Sequence, residues 1–588
     1  MTPVMSVWLA AISLLPVYAA PSPSSAGATT LAAGQGRPNV IILLTDDQGY
    51  GDLSCHGNPV LKTPNMDRLH GEAVRFTDFH VTPKCTPTRG QLMTGWDALH
   101  NGATSVTAGR AVLRRDVPTM ADIFAASGYR TGLFGKWHLG DNYPYRPMDR
   151  GFQESCYFHG WGLSESAPEF ANTYSDGTFL HNGVREKFSG YCTELWFGRA
   201  LAWMKERGAK GEPFLCYLPV NVAHGPMQVP EQYAKLYAKP GWPAKFFGML
   251  ANLDENIGRL ETFLRETGLR ENTIFIFMTD NGGTGGVKLF NAGMRGAKSS
   301  PYEGGHRVPC FVRWPAGRFG APRDVATPAS NTDILPTLIE LCGLAKPAGA
   351  TFDGVSLAGL LRGTGAPADR MLVVQQDENP EPFTPAAVIW NQWRLVNGTE
   401  LFDIKADPGQ KSDVAAQHAD VVAKMRAHYE KWWARIEPGL RDYQPITIGA
   451  AQENPAELTC SDWIKVYCDN ATNIRTGIGG PQGSAWVVFV EQDGDYAITL
   501  RRWPAELDLP LTAAEKGKAF PIARAKLTCA GQEAIAEAAP GAKSVTLNVK
   551  LKGGVKAQLQ AWFQDAAGHD LCGAYYASVL RITKGKNP

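Results

Sequence analysis

Asn39 to Asp47 reads NVIILLTDD. An unbroken apolar run of strand length describes a strand buried on both faces, and it delivers two acids together at its end. Outward from it, strand-like runs alternate with helical patterns as far as residue 345. TPNMDRLHGEAVRF predicts a capped helix, and ADIFAASGYR a helix closed by Gly128. GMLANLDENIGRLETFLRETGL is an amphipathic helix that feeds the strand NTIFIFMTD. That alternation predicts an α/β class: a large mixed, mostly parallel sheet flanked by helices.

Residues 366–445 hold shorter strands and the charged helix HADVVAKMRAHYEKWWARI, a small α+β subdomain. From 446 to 588 the period turns to two, as in SVTLNVKL and VKAQLQAWF, which predicts an appended β-sandwich-like module. Within it, SAWVVFVEQDGDYAITLRRW reads as a hairpin turning at Asp493-Gly494. The expected divisions are a signal peptide at 1–20, a linker at 21–37, a catalytic domain at 38–365, the subdomain at 366–445 and the module at 446–588.

The chain has 588 residues, 44% apolar and 20% charged, with a net charge of +1. That balance supports sizeable cores and gives no sign of a nucleic-acid partner. The N-terminal MTPVMSVWLAAISLLPVYAA ends in small residues before a Pro/Ser-rich stretch, which predicts export, periplasmic or secreted, after cleavage. A short membrane anchor is the alternative, and no stable insertion is expected elsewhere. Eleven cysteines, an odd number, show no zinc-type pairing; Cys460, Cys468, Cys529 and Cys572 are placed where they could pair.

Four strand-like runs finish in reactive residues: Asp46 and Asp47, Lys136 and His138, Asn221 and His224, Asp280 and Asn281. Ligands in open α/β sheets bind beyond the carboxyl ends of strands, so these groups can converge. Three carboxylates and an amide form a hard-oxygen set suited to Ca2+, with Mg2+ or Mn2+ as alternatives, and ill suited to zinc. Arg89, Lys136 and Lys298 could balance an anionic ester there.

KCTPTRGQLMTG, residues 84–95, sets Cys85 one helical turn from Arg89. Cys85 could be a disulfide half, a buried thiol, a metal ligand or a nucleophile activated near a helix start. A thiolate exposed in an oxidising compartment would be oxidised, so ordinary cysteine chemistry fits export badly.

This stretch resembles the signature of the type I, formylglycine-dependent sulfatases of the alkaline-phosphatase-like superfamily: Cys-x-Pro-Ser-Arg, then Leu-x-Thr-Gly. TDDQGYGDLSCHGNP, YRTGLFGKWHLG, PVNVAHGPMQVP, FMTDNGG and GAKSSPYEGGHRVP resemble further blocks, in the family's order. Thr88 departs from the signature, which most often has Ser or Ala there.

The resemblance implies a sulfuric ester hydrolase acting on a sulfated carbohydrate, with Cys85 oxidised to formylglycine by a maturation enzyme. It implies a Ca2+ ion held by Asp46, Asp47, Asp280, Asn281 and the modified Cys85. Arg89 would hold the formylglycine hydrate, and Lys136 and Lys298 would clamp sulfate oxygens. His138 would act as base on the sulfated intermediate, and His224 would serve the leaving alcohol. Asp280 could also deprotonate the hydrate. A phosphodiester or phosphonate monoester hydrolase of the same superfamily is the alternative. Ser155–Tyr191, with Trp161, Asn172, Tyr174 and His181, is a candidate specificity region. The tryptophans Trp463, Trp486, Trp503 and Trp562 are expected in the sandwich core, and His306 in an ordinary structural role.

Overall fold

The computed structural model of the protein describes residues 36–365 and 369–582. The expected signal peptide and all but the end of the linker lie outside the described residues.

NVIILLT forms the strand β1 (Asn39–Thr45) at the centre of a ten-stranded sheet. The other strands in chain order are β2 (Val74–Phe76), β3 (Arg130–Lys136), β4 (Glu154–Phe158), β5 (Thr178–His181), β6 (Val184–Lys187), β7 (Phe214–Pro219), β8 (Thr273–Thr279), β9 (Cys310–Arg313) and β10 (Arg323–Val325). Their spatial order is β10-β2-β9-β8-β1-β7-β3-β4-β5-β6. The central run β8-β1-β7-β3-β4 is parallel, and β9, β5 and β6 make the antiparallel pairings that leave the sheet mixed.

Alternate residues of β1 serve two cores. Val40, Ile42 and Leu44 enter one cluster, while Ile41 and Leu43 enter the other. This is why the run carries no polar face: each side chain is withdrawn from water, at roughly 1.5–3 kcal/mol apiece.

The helix after β1, Pro64–Glu72, forms as expected, and its cap comes from far along the chain. Thr63 makes no capping bond; the Asp254 carboxylate, on the long helix Ala244–Glu266, accepts from the backbone N–H groups of Asn65 and Met66 at 3.0 and 2.8 Å. A distant acid thus satisfies the orphan donors that Thr63 leaves free.

Residues 372–403 form a four-stranded antiparallel sheet, covered by the helix Ala419–Ile436. Arg394 of this sheet is fully buried; it donates to Glu303 at 2.7 Å and to Asp78 at 2.6 Å.

Beyond residue 445 lie a six-stranded and a four-stranded sheet. The expected hairpin does not form: Ala485–Val490 pairs with Val555–Gln564, and Gly494–Arg501 pairs with Val545–Leu551 and Tyr576–Ile582. Asp493-Gly494 instead carries the chain from one sheet to the other. Trp463, Trp486 and Trp503 fill the core between the sheets as expected, whereas Trp562, though buried, lies outside that cluster and donates its indole N–H to Asp570. Ala167 and Phe170 from the earlier part of the chain share that core. All eleven cysteines are free thiols, including the four that could have paired.

Candidate active site

Strand register brings the acids together. Thr45 of β1 pairs with Thr279 of β8, so Asp46-Asp47 and Asp280-Asn281 leave the sheet side by side. Leu44 pairs with Pro219 of β7, and Leu133 of β3 with Tyr217, which delivers Lys136, His138 and His224 to the same edge.

The signature forms the helix Cys85–Thr94, all of it buried. Cys85 is its first residue, and its Sγ lies 3.6 Å from Asp46 Oδ1 and 3.5 Å from Lys298 Nζ. One turn on, Arg89 donates to Asp280 Oδ2 at 2.7 Å and to the Lys136 carbonyl at 3.0 Å. Lys136 Nζ reaches Asp46 Oδ2 at 2.6 Å, and Lys298 Nζ reaches Asp47 Oδ1 at 2.5 Å. Asn281 Nδ2 donates to Asp47 Oδ1 at 2.9 Å. His224 Nε2 stands 3.8 Å from Asp47 Oδ2, while its Nδ1–H donates to the Gly225 carbonyl. His138 Nε2 faces the Val106 carbonyl at 3.3 Å, and Thr86 donates to the carbonyl of His138. Asp47 and His138 both hold left-handed backbone, φ +61 and +55, an uncommon conformation that concentrates at functional sites.

Three carboxylates thus face three cations in a water-poor setting. Burial works to raise the Asp46 carboxyl, but Lys136, His224 and Arg89 outweigh it and hold it well below the usual range. Burial and the Asp46 charge push Asp280 up to about 6. Burial, then Lys136 and Arg89, keep His138 well below its usual value, hence neutral. Burial and Lys298 lower His224 in the same direction.

Burial pushes the Cys85 thiol up to about 12 despite Lys136 and Lys298. Of the readings left open for Cys85, the unmodified side chain matches the buried thiol: loss of water outweighs both ammonium groups and keeps it protonated.

Asp46, Asp47, Cys85 and His224 each offer a donor atom within 4.8 Å of the others. Asn281 Oδ1 is buried and has no partner among the described residues. A buried amide oxygen without a donor, on the residue whose Nδ2 bonds Asp47, fits a hard divalent cation, whose ligands are oxygens.

Asn221 is the strand-end residue that does not join. Its Oδ1 accepts from Trp196 at 3.0 Å, inside the neighbouring core. His306 and His80 meet at 3.0 Å in a separate buried network with Asp78, as a structural role requires. Of the specificity region, Trp161 stacks at a tilt near His224, ring centroids 5.3 Å apart. Tyr174 is buried and donates to the His224 carbonyl, and His181 lies between Glu154 and Glu186. Asn172 bonds Glu169. Thr86 and Glu378, which accepts from Lys84 at 3.3 Å, carried no sequence signal of their place beside the site. Thr88 donates its hydroxyl to the Thr82 carbonyl at 3.0 Å.

The sulfatase family model matches residues 38–344. Human (Homo sapiens) arylsulfatase A is 33% identical over 408 residues, which cover 63% of this chain and 77% of the relative. Mouse (Mus musculus) N-acetylgalactosamine-6-sulfatase is 26% identical over 419 residues, 66% of this chain and 79% of the relative. The crystal structure of Ps i-CgsB in complex with k-i-k-neocarrahexaose superposes with a TM-score of 0.62 at 27% identity, covering 68% of this chain and 93% of that one. With the family match spanning more than half of the chain and the acids, cations and signature helix meeting at one sheet edge, the protein belongs to the sulfatase family and is a sulfuric ester hydrolase.

Proposed function

We propose that this sulfatase is exported, depends on Ca2+, removes sulfate from a carbohydrate, and uses formylglycine made from Cys85 by a maturation enzyme. The observation that carries the reading is the placement of Cys85 Sγ, 3.6 Å from Asp46 Oδ1 and 3.5 Å from Lys298 Nζ. A side chain there touches both the oxygen ligands and the cations an ester needs.

Asp46, Asp47, Asp280 and Asn281 would hold the ion, together with the modified Cys85. Bound there, Ca2+ supplies Lewis-acid stabilisation of charge on a sulfuryl oxygen. The formylglycine hydrate supplies an oxygen nucleophile whose second hydroxyl lets the aldehyde re-form, which a serine could not do. Arg89, anchored by Asp280 and the Lys136 carbonyl, fixes the position of that hydrate. Lys136 and Lys298 are placed to receive sulfuryl oxygens.

Neutral His138 has an unpartnered, buried Nδ1 among the described residues and is able to accept a proton. His224 presents Nε2 to the site because its Nδ1–H is committed to Gly225, so Nε2 is the atom that meets the leaving oxygen and donates to it when the ring is in its protonated, imidazolium form. Carbohydrate as the substrate class is supported by the relatives' printed substrates. Export rests on the N-terminal sequence pattern. Among the described residues, no helix is long and apolar enough to cross a membrane.

The experiment is release of inorganic sulfate from a panel of sulfated monosaccharides, run beside an aryl phosphodiester. Sulfate release from at least one sugar, faster than phosphodiester cleavage, is the expected result. The reverse order would favour the phosphodiesterase alternative and reject this reading.

A further inference from the structure

The family match ends at residue 344, yet a segment far beyond it reaches the edge of the site. Trp161 donates its indole N–H to the Asp469 carbonyl at 3.2 Å, and the Ala167 N–H donates to the same oxygen at 2.8 Å. Ala471 N–H returns a bond to Glu165. On the other side, Thr107 donates to the Ser461 carbonyl at 3.2 Å, and its neighbour Val106 is the residue whose carbonyl faces His138. The C-terminal module therefore braces the loops that carry or flank both catalytic histidines.

Two aromatic rings stand on this brace. Trp161 is only half-buried, and its ring lies 5.3 Å from that of His224, the residue that would serve the departing alcohol. Tyr467, two residues before Asp469, is 55% exposed, unusual for a large aromatic that covers no core. A sugar ring offers apolar C–H faces and polar edges, and sites for such ligands pair aromatic walls with a few polar groups.

We propose that residues 461–470 of the C-terminal module form the outer wall of the substrate mouth, with Trp161 and Tyr467 as a platform for the sugar ring of a sulfated carbohydrate. This rests on the carbohydrate sulfatase reading above. The platform fixes substrate choice through the alcohol side of the ester and leaves the sulfuryl cradle untouched.

The test uses the full-length, matured enzyme and the sulfated saccharide it turns over fastest, with inorganic sulfate as a competing inhibitor that needs only the cradle. Tyr467→Ala and Trp161→Leu are expected to raise KM for the saccharide about three- to tenfold, the range of one aromatic contact. The kcat should stay within about twofold and the inhibition constant of inorganic sulfate should not move, while Trp161→Phe recovers most of the loss. An unchanged KM in both variants, a loss confined to kcat, or a sulfate inhibition constant that rises in step with KM would overturn the platform. A wild-type enzyme that releases sulfate from no saccharide would instead overturn the underlying reading, and the platform with it.

Discussion

Lys298 Nζ bridges Asp47 Oδ1 at 2.5 Å and Cys85 Sγ at 3.5 Å, so one ammonium group touches both the acid cluster and the residue that would carry the nucleophile. Burial works to lower its pKa, but the carboxylates of Asp47, Asp46 and Asp280 outweigh it and hold it well above the usual range, so the group stays charged. Lys298→Ala should lower kcat/KM for a sulfate ester by about 10²–10³-fold, the usual cost of removing one preorganised charge donor. Circular dichroism and the melting temperature should stay close to those of the parent. A loss below about threefold would remove Lys298 from the sulfuryl cradle.

Calcium should stabilise the fold through the same acids. A ligand present at a hundred times its Kd adds about 2.7 kcal/mol. The melting temperature of chelator-treated protein should therefore rise on adding Ca2+. Asn281→Ala should need more Ca2+ for the same rise, because it deletes the buried Oδ1 that has no protein partner among the described residues. If parent and Asn281→Ala respond identically, Asn281 is not a ligand.

Acid should loosen the joint between the subdomain and the main sheet. Burial would raise the Glu303 carboxyl, but Arg394, His80 and His306 outweigh it and hold it down to about 2; Asp78 is lowered in the same direction. A carboxyl depressed in the folded state contributes stability that is fully present above its unfolded value of about 4.3 for Glu. That contribution is lost as pH falls from there through about 2. Urea midpoints should fall across this window, and less steeply in Glu303→Gln. Arg394→Met removes the guanidinium that two buried acids share, leaving Asp78 with His80 and Glu303 with Arg307 alone, and should cost about 3 kcal/mol at neutral pH. Equal pH slopes in parent and Glu303→Gln would contradict the assignment.

The central sheet was legible because its strands declare themselves locally, as apolar runs that end in acid, lysine or histidine. Convergence of Asp46, Asp280, Lys136 and His224 followed from a general rule about strand ends, and the pairing of Thr45 with Thr279 is its physical expression. Lys298 sits in a loop without periodicity, so the resemblance had to supply its role. Other features depend on partners distant in sequence. The helix cap comes from Asp254, about 190 residues past the helix it caps. Asn221 had the same local pattern as Asn281, yet Trp196 captures its amide oxygen. Asp493-Gly494 has hairpin chemistry, but the two flanking strands find better packing in opposite sheets. Cys85 illustrates the limit best: its place at a helix start left an activated nucleophile and a buried thiol both open, and burial decides for the protonated thiol.

Peptide mass spectrometry of the segment containing Cys85, on protein made with the maturation enzyme present, tests the account most directly. The account predicts an aldehyde in place of the thiol, with specific activity rising in proportion to the converted fraction and Cys85→Ala inactive. Full activity with an intact Cys85 thiol would contradict it.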